Sequence, residues 1–210
     1  MFRAVIFDLG GVVFPSPFEA FDAYDRGAGL APGTVRGLIR TSSETGAWAA
    51  LERGELALPD FYAELEREAT AAEFLLDAAK LMAGVASGFG PRPAMATAIR
   101  RIHEANLRTA ALTNNWPRAD DAESEFPPTG DGLGFDVVIE SAVVGLRKPD
   151  PRIYELVLSK LGVDAPDAVF LDDLGINLKP ARAMGMTTIK VIDPDVALTE
   201  LAAILGFEVR

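Results

Sequence analysis

Short, almost continuously apolar runs recur along the chain and predict the strands of a buried parallel sheet. These runs are residues 4–7, 109–112, 137–139, 168–171 and 188–192. They are rich in β-branched and aromatic residues, as a sheet covered on both faces requires. Helical patterns alternate with the runs, which favours a doubly wound, Rossmann-like α/β fold. Residues 126–134 are too rich in Gly and Pro for regular structure and are predicted to form a loop.

One helix can be delimited from the signals at its ends. From Ile153 the apolar positions follow the spacing of one helix face. Asp150 is suited to the N-cap, Pro151 to the first turn and Gly162 to the C-terminal stop. A second, shorter helix is predicted over residues 177–184.

The stretch between the first two strands breaks the alternation. Junctions rich in Pro and Gly, residues 15–17 and 84–93, flank a segment that has helical patterns and no convincing strand. We therefore predict an all-helical cap over residues 16–88, inserted into an α/β core of residues 1–15 and 89–210. The alternative is that these helices pack directly on the sheet.

Composition narrows the classes of protein. The 210 residues are 49% hydrophobic and 24% charged, which supplies enough apolar surface to fold and excludes intrinsic disorder. No apolar run approaches the roughly 20 residues of a membrane span. Asp8 interrupts the apolar amino terminus, so no export signal is predicted and a cytoplasmic location is expected. Cysteine is absent, which excludes disulfides, thiolate metal sites and cysteine nucleophiles.

The charge balance restricts the partners. A net charge of −11 disfavours nucleic acid and anionic membranes. A small anionic substrate is repelled as well, so a phosphate site in this chain is expected to contain a lysine, a metal ion or both. The single histidine, His103, cannot build a multi-histidine metal centre, and a surface or packing role is expected for it.

Polar side chains follow four of the predicted strands, at the sheet edge where open α/β folds bind ligands. In chain order these residues are Asp8, Thr113, Asn114, Asn115, Lys148, Asp172 and Asp173. Asp8 and Asp173 are suited to holding Mg²⁺ through carboxylate oxygens. A carboxylate beside Mg²⁺ and Lys148 can attack phosphorus, because the cations reduce the repulsion between two anions. The alternative is that each aspartate only caps a strand end or a helix start.

Four segments resemble the motifs of haloacid dehalogenase-like (HAD) hydrolases. They are residues 7–12 (FDLGGV), 112–116 (LTNNW), 148–154 (KPDPRIY) and 170–181 (FLDDLGINLKPA). Within that superfamily the chain is most similar to the amino-terminal phosphatase domain of soluble epoxide hydrolase and to a domain of acyl-CoA dehydrogenase-family proteins. The resemblance is weak in the predicted cap, apart from residues 48–55.

The resemblance implies a role for each matching residue and a small phosphorylated metabolite as the substrate. Asp8 would be the nucleophile and a Mg²⁺ ligand, with the Gly10 carbonyl and Asp173 as the other protein ligands. Lys148 would bridge Asp8 and the phosphate, and Asp172 and Asn177 would support the site. The residues expected to bind the phosphoryl group are Thr113, Asn114, Asn115, Trp116 and Lys148.

Gly10 departs from the family pattern, which places a second aspartate there. In the family that side chain protonates the leaving alkoxide and later deprotonates water, and such acid–base help is worth ~10²–10⁴ in rate. Three interpretations follow: a Mg²⁺-dependent phosphatase of restricted or weak activity, a dehalogenase-type hydrolase in which Asp8 attacks carbon, and a non-catalytic module that binds phosphate metabolites. The adjacent acids Asp172 and Asp173 favour a cation and therefore a phosphoryl substrate.

The predicted cap is rich in aromatic residues. They are Phe18, Phe21, Tyr24, Trp48, Phe61 and Tyr62. Two roles are open: lining an apolar pocket, as in a lipid-phosphate enzyme, or forming the core of the cap. Their helical spacing favours the core.

Overall fold

A computed structural model of the chain describes residues 1–88, 90–117 and 132–210. Its centre is a five-stranded parallel sheet of order β3-β2-β1-β4-β5. The strands are β1 (Ala4–Phe7), β2 (Arg108–Thr113), β3 (Val137–Glu140), β4 (Ala168–Asp172) and β5 (Thr187–Lys190). The predicted parallel α/β sheet is therefore confirmed, whereas most of the loop predicted over residues 126–134 lies outside the described residues.

Helices occupy most of the remaining described chain. They are α1 (Pro17–Ala28), α2 (Thr34–Thr41), α3 (Ala47–Glu52), α4 (Leu58–Ala71), α5 (Ala78–Ser87), α6 (Pro93–Glu104), α7 (Ser141–Val144), α8 (Pro151–Leu161), α9 (Gly175–Ala183) and α10 (Pro194–Leu205). A short 3₁₀ turn, Ala165–Asp167, precedes β4. Among the described helices, none has both the length and the apolar content needed to cross a bilayer.

Successive residues of the central strands pack into two separate apolar clusters, because side chains alternate between the faces of a strand. Val5 and Phe7 of β1 pack with α6 and α10 on one face. Ala4 and Ile6 pack with α8 and α9 on the other. Both faces of the sheet are thus covered, which explains why the strands read as continuous apolar runs.

Several predicted element ends differ from the structure by one or two residues, and two of these differences have a clear local cause. The fifth strand ends at Lys190 rather than at residue 192, because the Asp193 side chain accepts the first N–H groups of α10 and starts that helix. Helix α9 begins at Gly175 rather than at Asn177, because Asp172 accepts the Leu174 N–H and turns the chain directly into the helix.

The signals predicted for α8 are confirmed. The Asp150 side chain accepts the Arg152 N–H, and Pro151 opens the helix. Gly162 closes the helix with φ 64°, a left-handed conformation that glycine adopts without steric cost. The helix therefore starts three residues after Lys148, with Asp150 as its N-cap.

The segment between β1 and α6 forms a third buried cluster of its own. Helix α1 packs on α2 and α5, and α4 packs on α3 and α5. All six of the aromatic residues named above for the predicted cap belong to this cluster or pack against it, in agreement with the prediction that they pack together in its interior. Trp116, which follows β2, belongs to the same cluster. We call residues 17–87 the helical segment.

Candidate active site

The sheet has its topological switch between β1 and β4, where successive connections run to opposite sides. Ligands of open α/β sheets bind at the carboxyl ends of the strands beside such a switch. Asp8 directly follows β1, and its N–H donates to the Leu171 carbonyl of β4 at 2.9 Å. Asp172 ends β4 and Asp173 follows it. The fold thus brings together the aspartates that the sequence placed at strand ends.

At Gly11, the loop after β1 approaches Asp173 too closely for a side chain. Gly11 has φ 80°, which favours glycine. A Cβ on Gly11 would lie 2.3 Å from Asp173 Oδ2. Gly11 was not singled out in the sequence, although the Gly10–Gly11 pair signals a tight turn.

Lys148 lies buried between two carboxylates. Its Nζ is 2.8 Å from Asp8 Oδ2 and 2.7 Å from Asp172 Oδ2. Asp172 is saturated with hydrogen bonds, because it also accepts the Leu174 N–H and the Asn177 side-chain amide. Asn177 is held in turn by its backbone carbonyl, which accepts the Tyr154 hydroxyl at 2.7 Å. The structure therefore joins Asp8, Lys148, Asp172 and Asn177 in one hydrogen-bonded chain.

Within this group, the carboxyl groups of Asp8 and Asp173 have raised pKa values. Burial raises the pKa of the Asp8 carboxyl well above its usual value; Lys148 opposes that rise, and Asp172 and Asp173 reinforce it. Burial and the charge of Asp172 raise the pKa of Asp173 to about 6. Burial acts to lower the pKa of the Lys148 amine, but Asp172 and Asp8 outweigh it and raise that pKa. One ammonium thus offsets only part of the charge of three carboxylates.

The donor chemistry of the site suits a hard divalent cation. One carboxylate oxygen from each of Asp8, Asp172 and Asp173 lies within 4.8 Å of the others. All the donors are oxygens, as Mg²⁺ prefers. Asp173 is half-buried, and burial and the charge of Asp172 disfavour its ionised form, so a bound cation would stabilise it. Asp8 and Asp173 are therefore better placed than the saturated Asp172 to hold a cation.

Residues at the end of β2 lie beside this group, and several already have partners within the chain. Thr113 is buried, and its hydroxyl makes a long contact, 3.4 Å, with the Asn114 carbonyl. The Asn114 side chain binds both backbone groups of Lys148, at 2.8 and 3.0 Å. The Asn115 N–H donates to Ser141 Oγ, and its side-chain amide donates to Glu140. Asn114 and Asn115 therefore also hold neighbouring loops.

A cavity of about 270 Å³ opens between the strand ends and the helical segment. Thr113, Asn114 and Asn115 supply polar groups on the core side. Most of the remaining wall is apolar or small: Leu9, Gly10, Phe14, Pro15, Pro17, Ala20, Ala23, Gly84, Val85, Gly88 and Trp116. The six aromatic residues of the helical segment named above are not among the described residues of this wall. The apolar lining comes from smaller residues of α1 and α5 instead.

Glu52 and Arg147 were not identified from the sequence. Glu52 ends α3 and is buried, and its Oε2 accepts Arg147 Nε at 2.7 Å. The two residues are 95 positions apart, and Arg147 directly precedes Lys148. A contact over this distance leaves no local pattern, so only the fold reveals it.

Comparison with protein families agrees with the geometry. A family model described as haloacid dehalogenase-like hydrolase matches residues 2–185. Acyl-CoA dehydrogenase family member 10 of Mus musculus is 38% identical over 98% of this chain, and bifunctional epoxide hydrolase 2 of Sus scrofa is 30% identical over 98%. The chain spans 19% and 39% of those two relatives. Sesquiterpene phosphatase astK of Aspergillus oryzae is 29% identical over 98% of this chain and 97% of its own length.

Solved structures share the fold. A predicted HAD-like family hydrolase from Porphyromonas gingivalis superposes with a TM-score of 0.70 at 22% identity, covering 98% of both chains. A HAD family enzyme from Bacteroides thetaiotaomicron, solved with magnesium and inorganic phosphate, has a TM-score of 0.62 at 16% identity and covers 90% of this chain and 94% of its own. These similarities establish a common architecture.

Proposed function

The chain belongs to the haloacid dehalogenase-like hydrolases, and we propose that it is a Mg²⁺-dependent phosphatase whose nucleophile is Asp8. Its substrate in this proposal is a small phosphate ester with an apolar organic group. Residues 16–88 act as a cap over a core of residues 1–15 and 89–210. The phosphatase names of several relatives support the reaction class.

The observation that carries this proposal is the excess of negative charge around Asp8. Asp8, Asp172 and Asp173 converge on one place, and Lys148 offsets only part of their charge. A site for carbon-centred dehalogenation has no need of such an acidic group, because its carboxylate nucleophile works without a metal. Attack on a phosphate dianion does need added positive charge, and a cation held by the acidic group provides it.

Mg²⁺ fits the residues present, with Asp8, Asp173 and the Gly10 carbonyl as the protein ligands we assign. When bound, Mg²⁺ supplies positive charge that reduces repulsion between Asp8 and the phosphoryl oxygens. Asp172 serves instead to hold Lys148, and Asn177 holds Asp172. Lys148 orients Asp8 and opposes the effect of burial on its pKa, since the ammonium lies 2.8 Å from Asp8 Oδ2.

The reaction proceeds in two displacements at phosphorus. An oxygen of the Asp8 carboxylate bonds to phosphorus while the bond to the ester oxygen breaks, and that oxygen leaves with the electron pair. Water then attacks the aspartyl-phosphate, the bond between phosphorus and the Asp8 oxygen breaks, and inorganic phosphate is released. The proton lost by water passes to solvent or to the departed alkoxide. Covalent catalysis of this type replaces one difficult step by two easier ones.

Residues at the end of β2 receive the phosphoryl group. The Thr113 hydroxyl, whose present contact is a long one, is the best-placed side-chain donor. Asn114 contributes mainly by fixing Lys148, because its side chain already binds that residue's backbone. Asn115 and Trp116 line the same cavity and complete the binding surface.

Gly10 restricts the leaving group. A glycine leaves the backbone carbonyl for Mg²⁺ but provides no acid for the departing oxygen. Phosphates with a stable leaving anion, such as aryl phosphates, therefore suit the site better than alkyl phosphates. The same absence favours a second candidate function, a module that binds phosphate metabolites without turnover.

The cavity wall supports an apolar organic group. The cavity has a volume of about 270 Å³, and its wall is mostly apolar or small, with Glu19, Ser16 and Ser87 as the polar side chains outside the strand ends. Such a wall favours hydrocarbon over a polyhydroxylated group, which would lose its hydration there. The relative named sesquiterpene phosphatase acts, by that name, on an apolar class of compound. The organic group is thus expected to lie between α1 and α5, with the phosphate at the strand ends.

The reaction is tested by hydrolysis of 4-nitrophenyl phosphate with Mg²⁺ and with a chelator, by the parent protein and by Asp8→Asn. We expect turnover that requires Mg²⁺ and Asp8. Binding without turnover of any aryl phosphate would support the second candidate function.

The class of substrate is tested separately by competitive inhibition of 4-nitrophenyl phosphate hydrolysis. An inhibitor only has to bind, so it does not need a good leaving group. Decyl phosphate is expected to inhibit more strongly than glycerol phosphate. Ala20→Leu enlarges a residue of the cavity wall. It should weaken inhibition by decyl phosphate about tenfold, because the larger side chain displaces one or two buried methylenes of the inhibitor. Ala28→Leu, on the same helix but outside the described wall, is the matched control. Equal inhibition by both phosphates would contradict the apolar assignment.

A further inference from the structure

Glu52 forms a buried charged contact between the helical segment and the core, next to Lys148. Its Oε2 lies 2.7 Å from Arg147 Nε and 2.6 Å from Arg147 Nη2. Its Oε1 accepts Trp48 Nε1 at 3.0 Å, which orients the carboxylate from within α3. The Glu52 and Arg147 side chains are only 10% and 20% exposed. This is a largely desolvated ion pair with a fixed geometry.

Glu52 contacts Arg147 and Asn114, and each of these residues is connected to the backbone of Lys148. Arg147 precedes Lys148 in the chain, and its Nη1 donates to the Ser43 carbonyl of the helical segment at 2.6 Å. Asn114 Nδ2 lies 3.4 Å from Glu52 Oε2 and donates to the Lys148 carbonyl at 3.0 Å. Glu52 thus reaches the backbone of Lys148 from two directions without touching its amine.

We propose that Glu52 is a positioning residue, which sets the place of the Lys148 amine opposite Asp8 through Arg147 and Asn114. The inference rests on the proposed function, because Lys148 matters there as the partner of Asp8. The proposal goes beyond the residues at the strand ends. Through Glu52, the position of the Lys148 amine depends on how the helical segment packs against the core.

The competing explanation is that Glu52 and Arg147 only clamp the helical segment to the core. A buried ion pair often adds little stability compared with apolar residues of similar size. The double variant Glu52→Leu/Arg147→Met therefore separates the explanations. As a mere clamp the pair can be replaced by apolar packing, which restores stability and activity together. As a positioning device it cannot, because its hydrogen bonds to the flanks of Lys148 are lost.

Kinetics of 4-nitrophenyl phosphate hydrolysis give the first test. We expect Glu52→Gln and the double variant to lower kcat about 10- to 100-fold, with KM changed less than about threefold, as for a misplaced reacting group. Glu55→Gln, which breaks the neighbouring exposed pair with Arg53, is the matched control and should leave kcat unchanged. A double variant with parental kcat and melting temperature would overturn the proposal.

A second measurement reads the Lys148 amine without any turnover. In protein labelled with ¹⁵N-lysine, the Lys148 ammonium resonance is identified as the signal lost in Lys148→Met. We expect Glu52→Gln to shift or broaden that resonance and Glu55→Gln to leave it in place. An unchanged resonance in Glu52→Gln overturns the proposal, whether or not the parent protein hydrolyses a phosphate ester. A parent protein without turnover, in contrast, counts against the proposed phosphatase function.

Discussion

Buried carboxylates occur both in the helical segment and at the strand ends, but their surroundings differ. In the helical segment, Asp25 accepts three backbone N–H groups at the start of α2, at 2.8, 3.0 and 3.2 Å. Glu52 is paired with Arg147. At the strand ends, burial and neighbouring charge raise the pKa values of Asp8 and Asp173. Donors of the chain satisfy the first two carboxylates. The ionised forms of Asp8 and Asp173 stay disfavoured by burial and like charge, although Asp8 accepts the Leu9 N–H at 2.6 Å and lies 2.8 Å from Lys148 Nζ.

The contrast separates structural from chemical roles without reference to relatives. A carboxylate that fixes a helix start is stabilised by donors which the fold supplies. A carboxylate that acts on a phosphate is only partly offset by positive charge from the chain, and a bound cation supplies the rest. Strongly perturbed groups that converge at a ligand-binding edge are therefore the better candidates for function.

The largest expected effect is on activity at Asp8. Asp8→Asn keeps the size of the side chain but removes the oxygen nucleophile, so hydrolysis of 4-nitrophenyl phosphate should fall ~10⁴-fold or more. The melting temperature should not fall much, because the carboxylate that is removed is itself repelled by Asp172 and Asp173. Steady-state kinetics and thermal unfolding check the two parts. Activity within tenfold of the parent would assign the nucleophile elsewhere.

Gly10→Asp tests whether the site at the strand ends lacks only the general acid that protonates the leaving group. A Cβ on Gly10 would lie 3.4 Å from Pro17 Cδ, at the edge of ordinary van der Waals contact, and Gly10 faces the cavity. The new carboxyl group should raise turnover of alkyl phosphates by up to ~10²–10⁴ and that of aryl phosphates much less. Gly11→Ala is the contrasting variant and should damage the site, since it collides with Asp173. Rapid alkyl-phosphate turnover by the parent would show that another group supplies the proton.

The strand ends could be predicted from the sequence because each lies next to a local signal. An apolar run followed at once by Asp8 or Asp172 marks both the strand and the edge where it ends, and parallel topology brings such edges together. The helical segment could be predicted only as a set of helices. Its cavity wall and the pairing of Glu52 with Arg147 depend on how α1, α3 and α5 are seated, which periodicity does not encode.

Loss of Asp25 should have the opposite pattern to loss of Asp8. Asp25→Ala leaves the N–H groups at the start of α2 without their acceptor and should lower the free energy of unfolding by about 2–3 kcal/mol. At a temperature where the variant is folded, kcat should remain within about twofold of the parent. Chemical denaturation and kinetics together check this. A large loss of kcat with parental stability would erase the distinction between the two kinds of carboxylate.

The smallest expected effect is a pH dependence of stability that originates at Asp173. Its pKa is about 6 in the folded protein and about 3.9 in an unfolded chain. Between these values the folded protein binds more protons than the unfolded chain, so stability falls as the pH rises. Metal-free protein should therefore lose ~1–3 kcal/mol of stability between about pH 4 and pH 7 through this group. The raised pKa of Asp8 acts in the same direction.

Denaturant unfolding of the parent and of Asp173→Asn across this pH range isolates the contribution. Groups whose pKa is lowered on folding, such as Asp136 and Asp150, act at lower pH, because between pH 5 and 7 they are ionised in both states. The difference between parent and variant should therefore grow steadily from pH 5 to pH 7. Saturating Mg²⁺ should remove it in the parent, because the cation stabilises the ionised carboxylate. A difference that stays constant with pH, with or without Mg²⁺, would place Asp173 with the satisfied carboxylates.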